Sequence, residues 1–195
     1  VCAADWKAPE WQRLPSGDAK LDALLGGGWV VPSAALVWAR PKTGKSRLVF
    51  RWATHMGPAL VVEKEMSLDL TIATARSAGA DLRLLHIRLD LDGWQADAEA
   101  LGARVVVFDS IQACTRWPLA LLREAYAWAQ RRRVVVFAIS QVNSSGRPLG
   151  PIALEHWPDY PVRITRRNQK STIATVAFPQ GSRFCGPGSV QLPIA

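Results

Sequence analysis

The chain has 195 residues, 49% of them hydrophobic and 21% charged, a length and balance that suit one compact domain burying roughly 70% of its unfolded surface and exclude disorder as the main state. Lys and Arg number 24 against 16 Asp and Glu, a formal net charge of +8, which favours a polyanionic partner such as nucleic acid or nucleotide over an acidic one. No run approaches the roughly 18 apolar residues of a membrane span, since the longest candidate, residues 29–39, is broken by Pro32 and Ser33. The opening residues have neither the basic start nor the apolar stretch of a secretory signal, so a cytoplasmic setting away from any membrane is the expectation. Cys2, Cys114 and Cys185 are odd in number and lack a Cys-x-x-Cys spacing. Neither a disulfide framework nor a zinc site is therefore expected.

Residues 1–13, with Trp6 and Trp11 among polar neighbours, read as an N-terminal arm. From there to residue 178, apolar runs alternate with helical-period segments, the pattern of an α/β core whose mostly parallel sheet is covered by helices. Strands are expected over residues 34–38, 59–62, 84–89, 105–108 and 134–139. Several are continuously apolar, as strands buried on both faces are. Helices are expected over 45–55, stopped by Gly57-Pro58; over 68–78, ended at Gly79; and over 119–130, started by Pro118. A short helix should follow Pro151. Residues 162–166 and 172–178 then form a closing antiparallel β-pair, and 179–195 is a tail with weak order signals.

The most informative stretch is Ala39-Arg40-Pro41-Lys42-Thr43-Gly44-Lys45-Ser46, which has phosphate-loop spacing, with Ala for the usual first Gly, between an expected strand and an expected helix. In such a loop, backbone amides and the positive end of the helix surround phosphates, Lys45 reaches the terminal ones, and Ser46 offers a hydroxyl to Mg²⁺. The apolar run Val105-Val106-Val107-Phe108 ends in Asp109-Ser110, which places a carboxylate at the sheet's carboxyl edge to hold Mg²⁺ through its water shell. Glu63-Lys64-Glu65 follows another strand; one of these acids suits polarising a water toward a γ-phosphate, while both also suit complementing a helix dipole. Gln141, after the strand over 134–139, is placed to sense that phosphate or to serve as a turn residue.

Taken together, these motifs resemble the RecA-type ATPase core, and within it the bacterial RadA family, which acts in homologous recombination and DNA repair. The resemblance spans about residues 14–178. Its lead-in includes Leu14-Pro15-Ser16-Gly17 and the triple glycine Gly26-Gly27-Gly28; Glu65-Met66-Ser67 takes the place of the family's Glu-Glu-Ser, and Asp109-Ser110-Ile111-Gln112 matches its magnesium strand. Gly150-Pro151 followed by Leu154-Glu155-His156 is similar to a RadA segment of the same order. The resemblance implies ATP and Mg²⁺ as ligands, a homo-oligomeric ring or filament, and Lys45, Glu65, Asp109 and Gln141 as the catalytic set, with Glu65 preferred to Glu63 as base.

Departures are as informative. Where RadA carries Lys-Asn-Arg-Phe-Gly, whose cations reach the nucleotide of a neighbouring subunit, this chain has Arg167-Asn168-Gln169-Lys170. Gln169 lacks the second cation, and Lys170 or Arg166 replaces it only if the strand slips by one residue, which turns its side chains to the other face. Hydrolysis assisted by a neighbour, with Arg167 and Lys170 at its nucleotide, is thus the weakest part of the resemblance. RadA's four-cysteine zinc module and protease-like domain are not expected within these residues.

In RecA-type cores, the loops after the magnesium and sensor strands face a central channel or filament axis. Here they contain Arg116-Trp117 and Asn143-Ser144-Ser145-Gly146-Arg147, polar, basic and aromatic groups suited to sequence-independent single-stranded DNA binding, or to a subunit contact at Trp117. Arg131-Arg132-Arg133 instead follows a helix whose negative end attracts cations. The resulting expectation is an ATPase coupled to single-stranded DNA. The alternatives are a nucleotide-binding accessory module without effective hydrolysis and a replicative-helicase-like core.

Overall fold

The structure, a computed structural model, describes residues 10–168, 171–176, 184–185 and 187–193. It opens with β1 (Gln12–Leu14), α1 (Ala19–Leu24) and β2 (Trp29–Val31), the two strands pairing antiparallel. Asp18 starts α1 by accepting the Lys20 and Leu21 N–H groups at 3.1 and 3.2 Å, which satisfies donors that the first turn leaves without partners. Gly28 closes this unit at φ 118°, where a Cβ would lie 2.5 Å from the Leu14 carbonyl oxygen.

The core then runs β3 (Ser33–Trp38), α2 (Lys45–Met56), β4 (Ala59–Glu63), α3 (Leu68–Ser77), β5 (Leu85–Arg88), α4 (Trp94–Leu101) and β6 (Val105–Asp109). It continues through α5 (Ile111–Cys114), α6 (Pro118–Arg132), β7 (Val135–Ser140), α7 (Ile152–His156), β8 (Tyr160–Arg166), β9 (Ser171–Val176) and β10 (Gly188–Pro193). Strands β3 to β10 form one eight-stranded sheet in the order β10-β9-β8-β3-β7-β6-β4-β5. The pairs from β8 across to β5 are parallel, and β8-β9-β10 close the other side antiparallel. This is a RecA-like α/β core. No helix among the described residues is long and apolar enough to cross a membrane.

Helices on both faces explain why the interiors of β3, β4, β6 and β7 are continuously apolar rather than alternating, with polar residues only at their ends. Ala35 and Val37 of β3 pack with Phe50 and Trp52 of α2 in one cluster. Ala34, Leu36 and Trp38 face the opposite cluster with Trp94, Leu122 and Trp128 of α4 and α6. Trp29 meets Phe137 and Tyr160 edge-on at centroid distances of 4.8 and 5.0 Å, a favoured aromatic geometry.

The boundaries follow local chemistry. Helix α2 ends at Gly57, φ 135°, ahead of Pro58, and Pro118 occupies the first turn of α6, where its missing N–H costs nothing. Helix α4 lies between Gly93 and Gly102, both left-handed. Within the 179–195 tail, Gly188–Pro193 forms β10 and pairs along β9, so the expected closing pair is three strands deep. Residues 1–9 of the expected arm and 177–178 of the expected last strand lie outside the described residues.

Candidate functional site

The carboxyl ends of β3, β4, β6 and β7 converge, and each carries a residue of the motifs. From β3 the chain enters the 39–46 loop. Ala39, buried, is not among the residues with positive φ, whereas Lys42 and Gly44 are, at 60° and 95°. The position that lacks glycine therefore needs none. Gly44 is the N-cap of α2 and supplies no side-chain cap, which leaves first-turn amides without an intrahelical acceptor. The Thr43 hydroxyl donates to the Arg40 carbonyl, and the Lys45 ammonium donates to the Ala39 carbonyl at 3.3 Å, so Lys45 folds back across its own loop. Burial lowers the Lys45 pKa, opposed by the negative charges of Asp109 and Glu65.

Asp109 ends β6, 1% exposed, and the Ser46 side chain is hydrogen-bonded to it. Its Oδ2 has no hydrogen-bond partner among the described residues. The strand register sets Glu63, at the end of β4, directly beside Asp109. Glu63 is equally buried; its Oε1 accepts the Glu65 and Met66 N–H groups at 2.7 and 2.9 Å, while Oε2 has no partner. Burial first, and the Glu63 charge second, push Asp109 up to about 7. Burial also raises Glu63. Two buried carboxylates with idle oxygens are costly unless a cation completes them. A hydroxyl and a carboxylate at one phosphate loop match the sparse protein donor set of Mg²⁺, which keeps waters and takes phosphate oxygens as its other ligands.

Glu65 sits on the turn that Glu63 fixes, and the Gln141 amide donates to its carboxylate, so the expected base and the expected sensor meet. Gln112, absent from the candidates although it stands in the matching Asp-Ser-Ile-Gln segment, braces this edge. Its amide donates to the Ser140 hydroxyl at 2.7 Å and the Leu149 carbonyl at 2.6 Å. A cleft of about 390 Å³ opens beside the loop, between Gly44, Lys45 and Ser46 on one side and Met66 and Thr74 on the other. Arg40 and Pro41 lie on the far side of the loop, in a second cleft.

The remaining candidates divide. Arg166 at the end of β8 donates to the Lys42 carbonyl at 3.3 Å, so a cation does reach the phosphate loop, within the same chain. Arg167 donates to the Gln191 side chain on β10. Lys170 lies outside the described residues. Of the polar loop, Asn143 Oδ1 accepts the Ser145 N–H, the Ser145 hydroxyl and the Arg147 N–H, and a bridge joins Val142 to Pro148. The stretch is a braced hairpin. Its Arg147 is paired with Glu155 at 2.8 Å, while Ser144 is exposed. Trp117 is 64% exposed with Arg116 over its ring at 5.3 Å.

Strand order and loop placement define a RecA-like core carrying a phosphate-loop motif. No family model matches the sequence. Among known proteins, the chain is 30% identical over 172 residues to the DNA repair protein RadA of Pseudomonas aeruginosa, covering 80% of this chain and 38% of that protein. It is 29% identical over 185 residues to RadA of Treponema pallidum, covering 87% and 40%, and 29% identical over 177 residues to RadA of Escherichia coli, covering 83% and 38%. The chain is thus a relative of bacterial RadA, and spans about two fifths of the length of those relatives.

Proposed function

We propose that this chain binds ATP with Mg²⁺ at the 39–46 loop, hydrolyses it, and couples the nucleotide to single-stranded DNA in recombination or repair, as a homo-oligomeric ring or filament. One observation carries the reading: Lys45, Ser46, Glu65, Asp109 and Gln141, drawn from four separate segments, meet at one sheet edge around two buried carboxylate oxygens without partners. In this reading the loop amides and Lys45 bind the phosphates, and Ser46 and Asp109 hold the metal, which when bound neutralises developing phosphate charge. Glu65 takes the proton of an attacking water. Gln141, already bonded to Glu65, orients that base and reports the γ-phosphate. Likeness to proteins named for DNA repair supports the pathway.

Steady-state phosphate release with and without single-stranded DNA tests this. Turnover should rise with DNA and fall at least about a hundredfold in Glu65→Gln, the scale of a general-base loss. Turnover indifferent to both DNA and Glu65→Gln would instead support the accessory module. The observation favouring that second reading is Arg167, tied to Gln191 of its own chain rather than held free for a neighbour.

A further inference from the structure

The larger of the two clefts beside the phosphate loop, about 450 Å³, is not the one that faces Lys45 and Ser46. It lies between the front of the loop and the 142–148 hairpin. Its charged lining has one sign among the described residues: Arg40, Lys42, Arg163 and Arg166 border it, with Val142 and Gly146 on the hairpin side and no Asp or Glu. Such a concentration of like charge raises the local potential, and an anion relieves it.

The cations of this edge are not equally free. Arg147 is held by Glu155, Arg166 by the Lys42 carbonyl, and Arg116 lies over Trp117. The side chains of Arg163, Arg40 and Lys42 make no hydrogen bond or ion pair among the described residues, and of these three Arg163 alone stands on a strand rather than on the loop. Arg163 is exposed on β8 between two buried neighbours, Val162 and Ile164, so the alternation of the strand aims it away from the core they enter. Its guanidinium reaches the hairpin, 3.6 Å from where a Cβ on Gly146 would stand. An unpaired fork donor above a one-signed cleft suits a phosphate oxygen.

We infer that this cleft takes the phosphodiester backbone of a single nucleic-acid strand, with Arg163 donating to a phosphate. The assignment deepens the single-stranded DNA reading above and rests on it. It moves the main phosphate contact from Arg147, the residue favoured by its position in the loop, to a strand residue facing the same hairpin. Lys42, Thr43 and Arg166 border this cleft and the nucleotide cleft alike, so the two ligands share a wall.

The experiment compares the full chain with Arg163→Gln and Arg163→Glu. Binding of labelled oligo-dT is followed by fluorescence anisotropy across a salt series, and a fluorescent ADP analogue reports the nucleotide site. Arg163→Gln should weaken oligo-dT about five- to tenfold and lower the salt slope by about 0.7, the value for one single-strand phosphate contact. Arg163→Glu should weaken it further, and both should bind the analogue within about twofold of wild type. Unchanged affinity and slope in both variants overturn the inference and leave the DNA reading standing. Loss of analogue affinity in place of oligo-dT affinity also overturns it, by giving the cleft to the nucleotide. Displacement of oligo-dT by poly-glutamate as readily as by unlabelled strand, charge for charge, assigns an acidic protein segment instead. A wild-type chain that binds no oligo-dT at low salt removes the DNA reading itself.

Discussion

Cys114 shows how burial beside the candidate site's carboxylates alters a bystander. Its thiol, at the end of α5, lies 3.9 Å from the Val62 carbonyl. Burial, then the negative charges of Asp109 and Glu63, push it up to about 12. The thiolate is the reactive form, and its fraction grows tenfold per pH unit until that value is reached. At pH 8, alkylation of Cys114 by iodoacetamide should therefore run on the order of a thousandfold slower than that of an unperturbed thiol. Peptide mass spectrometry after timed quenching measures this, and labelling at the rate of a free thiol would show Cys114 to be open to solvent rather than buried beside the carboxylates. At this scale, residues whose role is set by spacing along the chain were legible: Gly44, Lys45 and Ser46 follow one another, and Asp109 ends an apolar run. Glu63 was legible only as an acid near Glu65. That it caps the turn beneath Glu65 and stands beside Asp109 depends on the register of β4 against β6, which no local pattern encodes. Arg163 was hidden for the same reason, because a lone arginine in a strand says nothing of the cleft across from it.

Elements were legible where burial dictated their composition. Strands β3, β4, β6 and β7, covered on both faces, read as unbroken apolar runs, and α2, α3 and α6 carry their own Gly, Ser and Pro stops and starts. Strands β1 and β2 have three residues each, too few to show a period. Strand β10 was masked by its Gly and Pro residues, yet it completes the sheet: Gly188 lies against Leu24 of α1, and Leu192 is fully buried in the same cluster as Trp29 and Ile164. Leu192→Ala should cost about 2–3 kcal/mol, the lower part of the range for buried leucine truncation because a sheet edge can relax around the loss. Urea denaturation with an unchanged slope and a lower midpoint is the expected outcome. An unchanged midpoint would mean that β10 does not dock on β9 in solution. A smaller slope would mean that the edge opens as a separate unit before the rest.

Across the whole molecule, charge and fold class were legible but the strand order was not, because crossovers leave no local trace. That order sets the phosphate loop between β8, with its arginines, and β7, with Gln141, and puts Asp109 and Glu63 on the next two strands. The free protein then holds like charges together on both sides of the loop: carboxylates at β4 and β6, and guanidinium groups around the larger cleft. In the proposed reading each set is a cost that its ligand offsets, so ligand binding should appear as folding stability. A ligand at a hundred times its dissociation constant adds about 2.7 kcal/mol to a folded state that alone binds it. For a domain of this size each kcal/mol moves the midpoint by roughly 2–4 °C, so ATP with Mg²⁺ should raise Tm by about 5–10 °C. Chelating the metal should remove much of the shift, since the carboxylates would again face the phosphates without a cation. Lys45→Ala should abolish it while leaving the ligand-free Tm near that of wild type, because the burial of the ammonium offsets its attraction to Asp109 and Glu65 and its one long hydrogen bond to the loop. Differential scanning fluorimetry across a nucleotide series reads all three. A shift that survives both Lys45→Ala and chelation would place the nucleotide elsewhere, and with it the chemistry assigned to Glu65 and Asp109.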